Sequence, residues 1–364
     1  MDVFTLLDNI EKCSKDSVIE AFNNSVHSLR RMLLSGTFAL DSTIIETKPD
    51  FPGCGKTKRK KEGDEEDTSQ YKYIHGFKLF ILYEVKSRII VAMNIVPANE
   101  SDSNHLLSMV KQGIKNCGKG RIKVIVADRG FLDGAQMWEI KHKLGIDFII
   151  PAKSKMIIRE DAIALYNNYK DRSLAEWEYG KDKCQGYGVD GLTTYFEYNP
   201  KGVKSNKKTN GSALNAVVIT TWRGRKIAKE KQKVILTSLP AEEDVAAIAK
   251  KYRLRSLIEN QGFRELKQAS YLKHLPRRSG EYAENAAYIH MMLCVYAHTL
   301  FYAFLSWRKK QGSVQSEIDC MRNWRKKKTN EKEKILIVAE EKYYAIYGIN
   351  EIMDILGITQ RYKI

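Results

Sequence analysis

At 364 residues the chain is long enough to bury a large core and to divide into two or three domains. Lys and Arg number 61 against 44 Asp and Glu, and the resulting net charge of +17 draws the protein toward polyanions. Six cysteines, Cys13, Cys54, Cys117, Cys184, Cys294 and Cys320, show no paired spacing, which argues against a zinc site or a disulfide framework and fits a reducing cytoplasm.

No basic and then apolar leader opens the sequence, and no internal repeat is evident. Residues 1–35 supply one or two amphipathic helices, and with 40 residues before Asp41 a full DNA-recognition module is not expected there. Strand signals follow at 37–47, 73–84 and 88–97, an antiparallel set with Asp41 in the run LDST. Residues 49–70 read as an exposed loop with a basic half and then an acidic half. Its PGCGKT run is not a phosphate-binding loop, because Asp50 replaces the leading Gly and the charged residues beyond cannot form the apolar helix such a loop needs. A helix near 103–116 leads to a short buried strand at 122–127 that delivers Asp128 at its C-terminal end, where parallel sheets present ligands. A helix at 133–143 and a strand at 147–150 complete an α/β pattern: a mixed sheet with helices on its faces. Either Asp alone is equally a turn residue or a helix N-cap.

Residues 154–239 are β-rich, with strand-like runs at 191–198, 213–221 and 233–239 between Gly- and Lys-rich turns. Positive charge concentrates at 201–208, 223–233 and 322–328, and the nearby Trp222, Tyr195 and Tyr198 are candidates to stack on an extruded base. Lys-rich turns are also ordinary solubilising surface. In YRLRSLIENQGFRELK, an ideal helix of about 100° per residue places Tyr252, Arg255, Glu259 and Lys267 within an arc of roughly 120°. That face is either a phosphate-gripping carboxylate site or a solvated face with an Arg255–Glu259 pair. Residues 286–307 hold no formally charged side chain over 22 positions. Their content of His290, His298, three tyrosines and a serine favours a helix packed on the sheet over one crossing a membrane. Residues 311–364 read as a basic linker and two short helices broken near Gly348, for packing or dimer contacts.

Asp41, Asp128 and Glu259 lie in dissimilar local settings and can meet only through the tertiary fold. Three converging carboxylates suit a pair of hard divalent cations that clamp the oxygens of a phosphodiester. The runs LDST, HGFK (75–78), DRGF (128–131), FIIPAK (148–153), LTSLP (236–240) and YRLRSLIE (252–259) together resemble bacterial insertion-sequence DDE transposases, in the subgroup with a Tyr, Arg, Glu, Lys signature on the helix of the third carboxylate. The resemblance runs from about residue 38 to about 300. Tyr252, Arg255 and Glu259 match the signature as it stands; Leu266 occupies the usual place of its Lys, with Lys267 one further on, and Ser256 stands where a Trp is often found.

The resemblance implies an RNase H-like mixed five-stranded sheet flanked by helices, formed by 36–153 and 240–310, with 154–239 as a β-rich insertion before the last catalytic helix. It implies that Asp41, Asp128 and Glu259 hold two Mg²⁺, replaceable by Mn²⁺, and that Tyr252, Arg255 and Lys267 grip phosphate. Arg129 and Trp222 are further candidates for DNA contact. The implied activity is cut-and-paste DNA transposition: cleavage at transposon ends, passage through a hairpin, and strand transfer into target DNA. A homodimer on DNA, in the bacterial cytoplasm and away from membranes, is the implied state. A nuclease of the same fold without strand transfer, and an inactive DNA-binding derivative, are the alternatives.

Overall fold

The computed structural model describes residues 12–60, 71–169, 174–203, 211–223, 226–227, 232–276, 280, 282–310, 334–339 and 343–348. Strand β1 (Thr37–Thr47) lies between two neighbours. On one side it pairs antiparallel with β3 (Tyr71–Glu84), Asp41 opposite Ile81; on the other it pairs parallel with β5 (Val124–Ala127), Leu40 opposite Ala127. Strand β4 (Ile90–Pro97) adds antiparallel to β3, and β6 (Asp147–Pro151) adds parallel to β5. The inner strands are apolar on both faces, from Phe77 to Tyr83 but for Lys78, and throughout Val124–Ala127, because helices cover the sheet.

Helix α1 (Lys15–Leu29) starts at Ser14, whose hydroxyl accepts the Ser17 N–H, and buries Phe22 and Val26. Helix α2 (Leu106–Cys117) packs on β3 and β4 through Leu106, Met109, Val110 and Gly113. Gly113 lets the helix approach closely, since a Cβ would stand 2.6 Å from Leu82 Cδ2 and would displace that side chain. Helix α3 (Gly134–His142) is capped by Asp133, which accepts the Gln136 N–H at 2.9 Å.

The sheet is larger than five strands. After helix α4 (Ile157–Tyr169), which the sequence pattern did not announce, come β7 (Ala175–Tyr179), β8 (Asp182–Leu192), β9 (Leu214–Arg223), β10 (Lys226–Ile227) and β11 (Lys233–Thr237). Strand β11 pairs antiparallel with β6, Leu236 opposite Ile150, and β9, β8 and β7 follow outward. The result is one eleven-stranded mixed sheet. The physical reason is the edge: Phe148, Ile149 and Ile150 of β6 are fully buried, and an apolar strand with a bare edge invites mispairing unless another strand covers it. The insertion is therefore continuous with the sheet that it interrupts in sequence.

Three further expectations are corrected. The strand expected at 191–198 ends at Leu192, and the chain beyond it turns inward, placing Tyr195 and Tyr198 in the core; Tyr198 packs on Phe148 and His142 and offers no face to a base. Within the loop expected at 49–70, Gly55–Lys60 forms strand β2 on β3, because β4 covers β3 only from Phe77 onward and leaves Tyr71–Gly76 open to pairing. The acidic half, at 61–70, lies outside the described residues. Where C-terminal helices were expected, β12 (Lys334–Ala339) pairs antiparallel with β13 (Tyr343–Gly348). KILIVA and YYAIYG are rich in β-branched and aromatic residues, which favour strands. The basic runs at 204–208, 228–231 and 322–328 lie outside the described residues.

The uncharged stretch is the body of a long helix, Tyr282–Lys310, resting on α1 and β4. By length and composition it could cross a membrane, yet 61% of its most apolar window is buried inside the protein. His298 is fully buried against the rings of Tyr83 and Tyr302, and the His290 ring meets the Tyr271 carbonyl at 3.1 Å.

Candidate active site

Asp41 projects from the middle of β1 and is 7% exposed. Strand β5 ends opposite Leu40, and the Ser42 N–H donates to Asp41 Oδ1 at 2.8 Å. Asp128 follows β5 directly, beside Asp41 in register, and its carboxylate accepts the Arg129 N–H at the start of a short turn, Arg129–Phe131. Helix α5 (Val245–Arg253), capped by Asp244, buries Val245, Ile248 and Ala249 and so aims its C-terminal end at the sheet. A turn at Leu254 and Arg255 leads into a π-helical segment, Ile258–Phe263, and then into helix α6 (Arg264–Ala269).

Arg255 joins these parts. Its Nη1 donates to Asp41 Oδ2 at 2.9 Å and to Glu259 Oε1 at 2.8 Å. It also donates to the Tyr252 hydroxyl, and the ring of Tyr252 carries Lys233 Nζ 4.3 Å from its centroid. Burial pushes the Asp41 carboxyl up to about 7, aided by the negative charges of Glu259 and Asp128 and opposed by the Ser42 N–H and Arg255. Burial works against the charge of Arg255 as well, but hydrogen bonding to Glu259 and the charge of Asp41 outweigh it and raise its pKa. The ion pair thus secures the guanidinium without offsetting the desolvation of Asp41.

The donor set, three carboxylates around a desolvated Asp41, fits a hard divalent cation. Among the described residues no three His, Cys, Asp or Glu side chains are grouped closely enough to hold one as they stand. Arg255, bonded to both Asp41 and Glu259, supplies the positive charge there. A cation held by these carboxylates would lie beside the Arg255 guanidinium, which now occupies the space between Asp41 and Glu259.

Lys267 also reaches this region: its Nζ donates to Thr43 Oγ1, on the same face of β1 as Asp41. Burial, with the charges of Lys273 and Arg59, lowers its pKa. The π segment explains how. A π turn closes from residue i to i+5 and takes in one residue more than an α turn, so Lys267 faces as the residue before it would on a regular helix. Leu266 instead is fully buried. Arg129 is exposed next to Asp128, with only its backbone engaged there. Trp222 is half-buried on β9, in register with Lys183 and Ile227 and away from the carboxylates.

Sequence reading missed the insertion's contribution. Trp177, Tyr179 and Lys233 join Tyr252, Arg253 and Arg255 of the helical segment around a cleft of about 390 Å³, with Arg253 stacked 3.8 Å over Tyr179. The β6–β11 pairing and the packing of α5 on β7, β8 and β9 bring these residues together, and no local pattern encodes either.

The chain belongs to the transposase DDE domain family, whose model matches residues 34–297. Among solved structures it is similar to piggyBac transposase, determined by cryo-EM as a synaptic complex with hairpin DNA, at 10% identity and a TM-score of 0.42. That match covers 81% of this chain and 53% of the other, so the chain spans about half the length of that protein. No curated protein matches the chain.

Proposed function

We propose that the chain is a DNA transposase of a bacterial insertion sequence, with the Tyr, Arg, Glu, Lys signature at Tyr252, Arg255, Glu259 and Lys267, cutting at transposon ends and joining them to target DNA. The observation that carries this reading is the single guanidinium of Arg255 spanning Asp41 and Glu259, with Asp128 at the end of the adjoining strand. The strand order β4-β3-β1-β5-β6, antiparallel at β3 and parallel beyond β1, supports an RNase H-like core.

Asp41, Asp128 and Glu259 would hold two divalent cations, Mg²⁺ or Mn²⁺, which when bound stabilise charge on the attacking and leaving oxygens of a phosphodiester. Arg255, displaced from Asp41, binds a nonbridging phosphate oxygen through its fork, and Tyr252 fixes that fork in place. Lys267 offers a second positive charge along β1. The net charge of +17 supports DNA as the partner, through phosphate contacts that read no sequence by themselves. Two copies acting on paired ends in the cytoplasm complete the proposal.

The test uses labelled end DNA, a target plasmid and Mg²⁺. Asp41→Asn, Asp128→Asn and Glu259→Gln are each expected to reduce cleavage and joining to background while end DNA still binds. Near-normal cleavage by any one removes that residue from the triad. Cleavage by the native chain without joining identifies a nuclease instead.

A further inference from the structure

Behind the carboxylates, on the face of β1 opposite Asp41, lies a second acidic residue that none of the preceding roles uses. Asp102 opens the short turn Asp102–His105 that leads into α2. Its Oδ1 accepts the Ser42 hydroxyl at 2.9 Å and pairs with Lys78 Nζ at 3.2 Å. Lys78 is the last residue of HGFK, is nearly buried, and also donates to the Glu100 carbonyl at 2.6 Å. The other oxygen of Asp102 faces the turn after Asp128, on which the Asp102–His105 turn packs: a Cβ at Gly130 would stand 2.9 Å from Asp102 Oδ2, so a side chain there would displace the carboxylate.

Ser42 thus bonds in two directions. Its amide holds Asp41 Oδ1 and its hydroxyl is held by Asp102. Asp102 therefore bonds to the residue after Asp41 and sits in the turn that packs on the one following Asp128, and Lys78 pairs with it so that its charge is balanced. We propose that Asp102 is a positioning residue that fixes the separation and orientation of Asp41 and Asp128, with Ser42 as its link to the first and the packing of its turn on Arg129–Phe131 as its link to the second. It acts through the shape of the carboxylate pair and not as a ligand itself. Groups that orient ligands from behind change metal affinity by about 10- to 100-fold when removed, without touching the ion.

The proposal rests on the transposase reading above, and the experiment separates the two. Mn²⁺ affinity of the full chain is measured by isothermal titration calorimetry, without DNA, for the native protein, Asp41→Ala, Ser42→Ala, Asp102→Asn, Asp102→Ala and Ser42→Ala with Asp102→Ala. Thermal melts are recorded alongside. Asp102→Ala is expected to weaken Mn²⁺ binding about tenfold or more. Ser42→Ala weakens it in the same direction. Asp102→Asn, which keeps an acceptor for the Ser42 hydroxyl, recovers most of the loss. The double variant is expected to lose less than the product of the two single losses, because both act through one bond. Native affinity in Asp102→Ala overturns the proposal, as do losses that multiply in the double variant. If Asp102→Ala no longer melts cooperatively, Ser42→Ala, which removes one hydroxyl, decides alone. Asp41→Ala that binds Mn²⁺ as the native chain does would overturn the metal-centre reading itself, a different result from native affinity in Asp102→Ala.

Discussion

Arg255 stands between Asp41 and Glu259 as their counter-charge, whereas the phosphate grip proposed for it takes it away from Asp41. Removing it should separate the two. Arg255→Ala is expected to bind Mn²⁺ more tightly than the native chain, because no fixed cation competes, yet to cleave about 10²- to 10³-fold more slowly, the loss typical of one aimed charge-stabilising donor. Arg255→Lys keeps the charge without the fork and should fall between. Calorimetry with Mn²⁺ and single-turnover cleavage check both; weaker Mn²⁺ binding in Arg255→Ala would mean that the guanidinium holds the carboxylates together and does not hold cations out. Asp41 carries a second consequence. Its carboxyl titrates at about 7 in the folded protein against about 4 in an unfolded chain, so the folded state binds the proton more strongly. The stability this gives is complete below pH 4 and is lost as pH rises through 7. For the metal-free protein the loss is on the order of 4 kcal/mol by pH 8. Asp41→Asn, which keeps an acceptor for the Ser42 N–H, should remove that slope in denaturant unfolding between pH 5 and 8; an unchanged slope would assign it elsewhere. At this scale Tyr252, Arg255 and Glu259 could be grouped because they lie within one short stretch of sequence, although a turn at Leu254 and Arg255 divides it. Asp102 and Ser42 could not, since their partners are set by how β1, β3 and two turns pack.

Among elements, the π turn at Ile258–Phe263 is the local departure that sequence spacing registered only as a mismatch. Periodicity assumes one pitch throughout, and no residue type in IENQGF announces a change of pitch. Tertiary packing supplies the reason: Ile258, Phe263 and Leu266 are all buried, and Gly262 passes Tyr83 with only 3.3 Å for a Cβ, so the wider turn keeps the apolar side chains inward while Lys267 reaches Thr43. Deleting the exposed Asn260 should let the segment close as a regular helix with the same faces, leaving cleavage within about tenfold of native. Inserting an alanine after Asn260 rotates Lys267 by a further 100° or so and should cost far more. Circular dichroism and cleavage rates compare the two, and equal damage from both would refute the compensating role. The C-terminal hairpin teaches the same lesson in reverse. Short apolar runs such as KILIVA fit helix or strand alike, and their β-branched content was the better guide.

For the whole molecule, β1, β3 and β4 were readable in order because their apolar runs are long, whereas the charged β2 between β1 and β3 was not. The insertion was readable as β-rich but not as part of the same sheet, because a register such as Leu236 opposite Ile150 joins segments far apart in sequence. Replacing residues 154–239 with a short linker is accordingly expected to abolish cooperative folding, since it strips β11 from the buried β6; a soluble product with a sharp melt would show that the five strands suffice.

Continuity of the sheet also sets an angle. Neighbouring strands turn by roughly 20 to 25° at each step, so four steps from β6 through β11, β9 and β8 to β7 rotate the outermost strand by about 90°. The insertion's far end is thereby turned nearly crosswise to β6. Under the proposed function, a duplex laid along one half of the sheet would meet the other half as a wall, and the handedness of the L-amino acid, through the twist it imposes, decides on which side that wall stands.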